Sequence, residues 1–414
     1  MRKLVASVVA CGVLVSGFLF AQGGGSSITV FEGARLIVGN GTTIESATFV
    51  VEGTRISYVG GGRLESNTPR RVVDLRGKTV MPAIVDTHNH MANDRPTLID
   101  QLQRKAYYGV AVVTSLGQDN SDVPFQVRDE VIPNAARLRT AGRGITMPEQ
   151  GRTEAPYWVS TAAEARKAVQ EIAAKRVDIL KIWVDDRNGA YKKLTPELYT
   201  AVIDEAHKSN LRVTAHIFNL DDAKGLLRAG LDAFAHGVRD KDIDDEFVAM
   251  MRQRPNMVLV PNLPDRGVTT DLRWLADSVP AQELSTLQAA ATDRPAVQQT
   301  FGIQARNLAR LNAAGVRIAL GTDGNVPWAH HLEMEDMVAA GMTPAQVLVA
   351  ATRNGAEFLR LTDLGTIAVG KSADFVILDA NPLDDIKNTR RISAVYLRGA
   401  AVDRTAVRTR IMGR

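Results

Sequence analysis

Cysteine is almost missing from this chain of 414 residues: the only one is Cys11, inside an uncharged N-terminal stretch. Once that stretch is removed, the chain has no disulfide and no thiolate, so any metal must be held by nitrogen and oxygen. A dense run of Lys or Arg is missing as well. The formal charge is +4, two of those charges are Arg2 and Lys3, and the remainder is nearly neutral, which argues against a nucleic-acid partner. There is no internal repeat and no low-complexity tract beyond the glycines at 23–25. Apolar residues at 45% and charged residues at 23% exclude a disordered chain.

What is present begins with a leader. Arg2 and Lys3 precede an uncharged, mostly apolar stretch over 4–21, and Gln22-Gly23-Gly24-Gly25-Ser26-Ser27 forms a polar exit. Residues 1–21 therefore read as a signal peptide, and the mature protein is expected in the periplasm or outside the cell. Leu19-Phe20-Ala21 is a mediocre cleavage site because Leu19 is not small, which leaves an uncleaved anchor as the alternative. With the leader cleaved, no stable membrane association is expected.

Short β-type runs separated by Gly and Asn turns occupy 28–31, 35–38, 48–51, 55–59 and 71–75, and the same texture returns at 374–378 and 393–398. Between them, apolar runs at 83–85, 110–114, 138–140, 179–184, 211–215, 232–235, 257–260 and 316–320 alternate with helical patterns. Runs of that kind suit parallel strands buried on both faces. Helix starts are legible where Thr161 pairs with Glu164, where Thr343 pairs with Gln346, and at Thr195-Pro196. The expected architecture is α/β: a (β/α)8 TIM barrel over 81–361, with a small composite β-sandwich domain built from 28–80 plus 362–401. The stretch 263–300 is longer than one connection needs and reads as an inserted helical excursion.

Active sites of such barrels form at the C-terminal ends of the strands. Metal-ligating residue types fall at those ends here: His88 and His90 after the first strand, His216 after the fifth, His236 after the sixth and Asp323 after the eighth. Alternation puts His88 and His90 on one face. Taken singly, a strand-end histidine reads as readily as a packed core residue, whereas four with an aspartate read as a site for zinc or a similar divalent ion. Lys181, in the fourth strand, is the misfit, since an ammonium beside two dications would be repelled. A neutral amine can instead take up CO2 as a carbamate, whose two oxygens can bridge two cations.

This set resembles the amidohydrolase superfamily, in particular its binuclear members with a carbamylated lysine, and within it the prolidase-like and imidazolonepropionase-related group. The stretch 365–379, from Gly365-Thr366-Ile367 to Ile377-Leu378-Asp379, is similar to the return of that family into its composite sheet. The resemblance implies His88, His90 and Asp323 on one metal, His216 and His236 on the second, and the Lys181 carbamate bridging both. It also implies a shared hydroxide as nucleophile, with Asp323 accepting its proton and passing it to the leaving amine. Homologues of this kind are often homo-oligomers, although nothing in the sequence demonstrates a subunit interface.

The expected substrate is a small-molecule amide, a dipeptide or N-acyl amino acid. Arg187 and Tyr191, after the fourth strand, and His330, after the eighth, are the candidate substrate contacts. A mononuclear deaminase or cyclic-amide hydrolase is the rival on the same scaffold, but such enzymes generally lack the lysine and tend to carry Glu where Asn219 stands. A lactonase or phosphotriesterase would share all six ligands yet usually lacks the composite sheet. A non-catalytic binding homologue would be marked by lost ligands, and none is lost. The segment 91–96 matches no substrate class.

Overall fold

The computed structural model describes residues 28–62 and 71–413; the signal peptide expected over 1–21 lies outside them. Strands from both ends of the chain share one eight-stranded sheet. Ile28–Ile37, Thr43–Glu52 and Arg55–Gly61 form an antiparallel meander. Thr79–Pro82 lies parallel to the first of these and antiparallel to Phe375–Leu378, which pairs in turn with Ile392–Leu397. Aromatic packing holds the two ends together: Phe31 stacks on Phe49 at 4.8 Å between centroids, Phe375 stacks on Tyr396 at 4.7 Å, and Phe49 meets Phe375 edge-on at 5.1 Å.

The sequence pattern splits the first strand at Gly33, and the structure does not. Gly33 takes a φ of 86° and absorbs a bulge between Glu32 and Ala34, so the strand bends without ending.

The middle of the chain is a TIM-barrel-type α/β fold. Ile84–Asn89, Val110–Ser115 and Arg137–Thr140 form one parallel group. Ile145–Thr146, Leu180–Val184, Val213–Ile217, Ala233–Phe234, Val258–Leu259 and Arg317–Ile318 form another, in chain order. Backbone bonds join the groups on both sides: Asp178 N–H donates to the Thr140 carbonyl at 2.9 Å and Thr87 N–H to the Leu320 carbonyl at 3.0 Å. Every residue of Ile84–Asn89, Val110–Ser115, Leu180–Val184 and Val213–Ile217 is buried, as strands covered on both faces require.

Helix starts follow their local signals. Thr161 with Glu164 and Thr343 with Gln346 both form reciprocal capping boxes. The excursion is shorter than the sequence suggests. Arg273–Leu275 and Ala281–Ala290 belong to it, but Pro295–Ala313 is a 19-residue helix leading directly into the strand Arg317–Ile318. The excursion packs Leu272, Leu275 and Val279 against Tyr107, Tyr108 and Trp328. None of the described helices is long and apolar enough to cross a membrane.

Candidate metal centre

All six residues singled out as ligands converge at one end of the parallel strands. His88 is fully buried; its Nε2 lies 3.2 Å from Asp323 Oδ1 and 3.4 Å from Lys181 Nζ. His90 Nε2 lies 3.1 Å from the same Asp323 oxygen, and His236 Nε2 lies 3.6 Å from Asp323 Oδ2. The His216 and His236 rings sit 4.4 Å apart, and the His88 and His236 rings 5.2 Å. Asp323 thus joins the first-strand pair to the sixth-strand histidine, with Lys181 beneath.

Burial sets the charge state of these groups. Desolvation holds His88 and His236 well below the usual histidine range and takes His216 down to about 3, so their imidazoles are neutral. Burial likewise brings Lys181 down to about 7, opposed by Asp323 and reinforced by Arg239 and Arg187. Burial pushes the Asp323 carboxyl up, but His88, His90 and Lys181 outweigh it and leave the group ionised, well below the carboxylate range.

Neutral imidazoles facing an ionised carboxylate suit a divalent cation. His88, His90 and Asp323 each place one donor atom within 4.8 Å of the others. On the other side, Arg239 Nη2 lies against His236 Nδ1, and His236 Nε2 is buried without a hydrogen-bond partner among the described residues. With Arg239 donating to Nδ1, the neutral ring carries its hydrogen on Nε2, so His236 offers Nε2 to an ion only when Arg239 moves off Nδ1.

Several residues outside the expected ligand set shape the site. Asn262, with φ of 41°, holds His88 Nδ1 at 2.6 Å from its amide. The same Asn262 nitrogen donates to the Ala235 carbonyl at 2.5 Å, which fixes the amide with its nitrogen toward His88 Nδ1. Asp185, directly after the strand Leu180–Val184, lies 2.8 Å from His216 Nε2. Asp185 follows its strand as the expected ligands follow theirs, but its contact with His216 on the neighbouring strand leaves no local mark in the sequence.

The three expected substrate contacts divide. Arg187 reaches the site: its Nη1 lies 2.5 Å from Asp185 Oδ2 and 2.9 Å from His216 Nε2. The Tyr191 hydroxyl donates to the Gln150 carbonyl at 3.2 Å, tying two loops together. His330 is not at the mouth. It lies in the helix Ala329–Ala339, fully buried, with Nε2 2.9 Å from the Tyr108 carbonyl, because the helix starts at once after Trp328 and turns the ring into the packed layer.

Beneath the ligands lies a buried ion pair. Lys105 Nζ donates to Asp86 Oδ2 at 2.9 Å, both side chains are fully buried, and the Thr322 hydroxyl donates to the same oxygen at 2.9 Å. The helix Arg95–Tyr107, the strand bearing His88 and the loop bearing Asp323 are thereby joined. Removing one partner strands the other charge in the core. Lys105→Met is expected to cost the metal-free protein about 3–5 kcal/mol in denaturant unfolding, while Lys105→Met with Asp86→Asn should cost less. A single variant within about 1 kcal/mol of wild type would show the pair to be dispensable.

Residues 79–402 match the Amidohydrolase family. The chain is 28% identical to an imidazolonepropionase of Streptomyces griseus over 371 residues, covering 83% of this chain and 89% of the relative. It is 23% identical to an ochratoxinase of Aspergillus niger over 431 residues, covering 89% and 85%. Among solved structures, a Xaa-Pro dipeptidase with bound methionine superposes with a TM-score of 0.73 at 23% identity, over 91% of this chain and 99% of that one, a likeness of fold. With the family match spanning most of its length, this chain belongs to the amidohydrolase family, hydrolases of C–N bonds.

Proposed function

We propose that this chain is an exported, binuclear metal-dependent amidohydrolase, built on a closed (β/α)8 barrel, that cleaves an amide bond in a dipeptide or N-acyl amino acid. The observation that carries the reading is Lys181: a fully buried lysine with Nζ 3.4 Å from His88 Nε2, set among four histidines and an aspartate. No ammonium is stable there beside cations, whereas a carbamate is what two cations need between them. His88, His90 and Asp323 would hold one ion, His216 and His236 the other, and the modified Lys181 would bridge them. When bound, two zinc ions supply Lewis acidity and lower the pKa of water toward neutrality.

The remaining work falls to the protein's own groups. Asp323 is held ionised between His88 and His90, so its free carboxylate oxygen accepts the proton of the attacking water and delivers it to the leaving nitrogen. Arg187 Nη2 and Arg239 Nε are buried donors without a hydrogen-bond partner among the described residues. Unspent guanidinium donors beside a hydrolytic centre favour a substrate carrying a carboxylate next to the scissile amide. Export is supported by the basic start and apolar stretch of residues 1–21.

Two measurements test this. Protein purified without chelators and incubated with zinc and bicarbonate is expected to hold two ions per chain by elemental analysis; a value that stays at one supports the mononuclear rival. The loaded enzyme is then screened against dipeptides and N-acyl amino acids, with lactones and phosphotriesters as controls. Turnover confined to the controls would overturn the amide assignment and leave the metal site standing.

A further inference from the structure

We infer that the end of the parallel strands away from the metal ligands carries a second binding site, for a small molecule bearing a phosphate group, held between Arg212 and Arg360. His216 and Asp323 lie at or beyond the C-terminal ends of their strands, whereas Arg212, Asp232 and Arg317 stand at the starts of Val213–Ile217, Ala233–Phe234 and Arg317–Ile318. Arg360 comes two residues after the helix Gly355–Phe358. A cavity of about 440 Å³ opens among these groups, with Leu211, Val258 and Phe358 in its wall. None of its residues belongs to the metal centre.

The guanidinium charges here outnumber the carboxylates free to meet them. Arg212 lies over the Phe358 ring, 5.2 Å from its centroid, and its Nη2 is buried without a hydrogen-bond partner among the described residues. Asp232 does not supply one, because its Oδ2 takes the Val213 N–H at 2.8 Å and lies 2.9 Å from His207 Nε2. Glu357 is shared by Arg317 at 3.4 Å and Arg353 at 3.6 Å. The Arg360 side chain makes no hydrogen bond or ion pair among the described residues. Burial and the charge of Arg360 both act against the Arg212 cation and bring its pKa down to about 10, with Asp232 opposing them.

Groups at this end of such a fold commonly serve stability, and the stack of Arg212 on Phe358 does so. Stability does not account for a buried donor left unspent, nor for two like charges bearing on each other across one cavity. An oxyanion between them satisfies the donor and turns the repulsion into attraction. Two unpaired guanidiniums match the charge of a dianion and their planar forks match phosphate oxygens, so a phosphate group fits better than a single carboxylate. The cavity falls within the range of small-molecule pockets, about 300–1,000 Å³, and its apolar wall suits an organic remainder.

The test is calorimetric titration of the zinc-loaded protein with inorganic phosphate as the probe, at constant ionic strength. Wild type is compared with Arg212→Met and Arg360→Asn. Arg360 takes a φ of 58°, which asparagine enters readily, so Arg360→Asn removes the charge and keeps the turn. That variant carries the comparison should Arg212→Met not fold. Each variant is expected to bind phosphate about 10–100-fold more weakly at this site, with zinc content unchanged. Phosphate held by zinc would be retained in all three proteins, so equal binding in wild type and both variants would overturn the site. Wild type without saturable phosphate binding would overturn it as well. Succinate that binds wild type more tightly than phosphate, and is lost in both variants, would overturn the phosphate assignment in favour of a dicarboxylate.

Discussion

Lys181→Ala is expected to lose metal and activity together, and Lys181→Arg is expected to be no better. The side chain is fully buried. Its surroundings are built around it: a Cβ added at Gly117 would come within 2.8 Å of Lys181 Cγ, and one at Gly144 within 2.7 Å of the Lys181 carbonyl. Space for a lysine stem has been left where burial penalises its charge. At about 7, roughly half of the amines are neutral near pH 7, against a negligible fraction for an exposed lysine.

The neutral amine is the form that takes up CO2, so the sign of the pH effect follows. Activation of metal-free protein by zinc and bicarbonate should speed up as pH rises through about 7 and slow below it. Without CO2, reconstitution should be slow and incomplete. A guanidinium stays cationic and cannot be carboxylated, which is why arginine fails where an ordinary structural lysine would tolerate it. Short carboxylic acids should partly restore the alanine variant by occupying the vacated bridge. An arginine variant with near-normal turnover and no bicarbonate effect in wild type would remove Lys181 from the centre.

Asp323→Asn is expected to lower turnover by a factor on the order of 10²–10⁴ while leaving the fold intact. Two features make this exchange clean. Asp323 sits at a positive φ of 50°, a region that Asn enters nearly as readily as Asp, so the backbone need not move. Its backbone N–H donates to the His88 carbonyl at 2.8 Å, a bond the substitution leaves in place. What changes is charge and basicity: an amide cannot take a proton from water or return it to an amine. Part of the metal binding should survive through the four histidines, so zinc content measured beside turnover separates a lost proton carrier from a lost ion. Near-wild-type turnover in Asp323→Asn would assign the proton to another group.

The sequence by itself determined which residues end the strands. A buried parallel strand is a short local apolar run, so the polar residues within or just after such runs, His88, His90, Lys181, His216, His236 and Asp323, were legible as candidates, and the structure brings them together. Capping boxes were legible for the same reason, since Thr161 and Glu164 are three residues apart. Gly33 misled because a glycine that ends a strand and one that bulges it are the same residue; only the partner strand decides. His330 misled because the sequence does not show whether a residue after the eighth strand stays in the loop or enters a buried helix. The tertiary structure alone decided the groups that orient the ligands. Asp185 reaches His216 across 31 residues, Asn262 reaches His88 across 174, and Lys105 reaches both Asp86 and, across 217, Thr322. Most of these contacts join side chains that are neighbours in space and far apart in the chain, and local periodicity carries no record of such pairs.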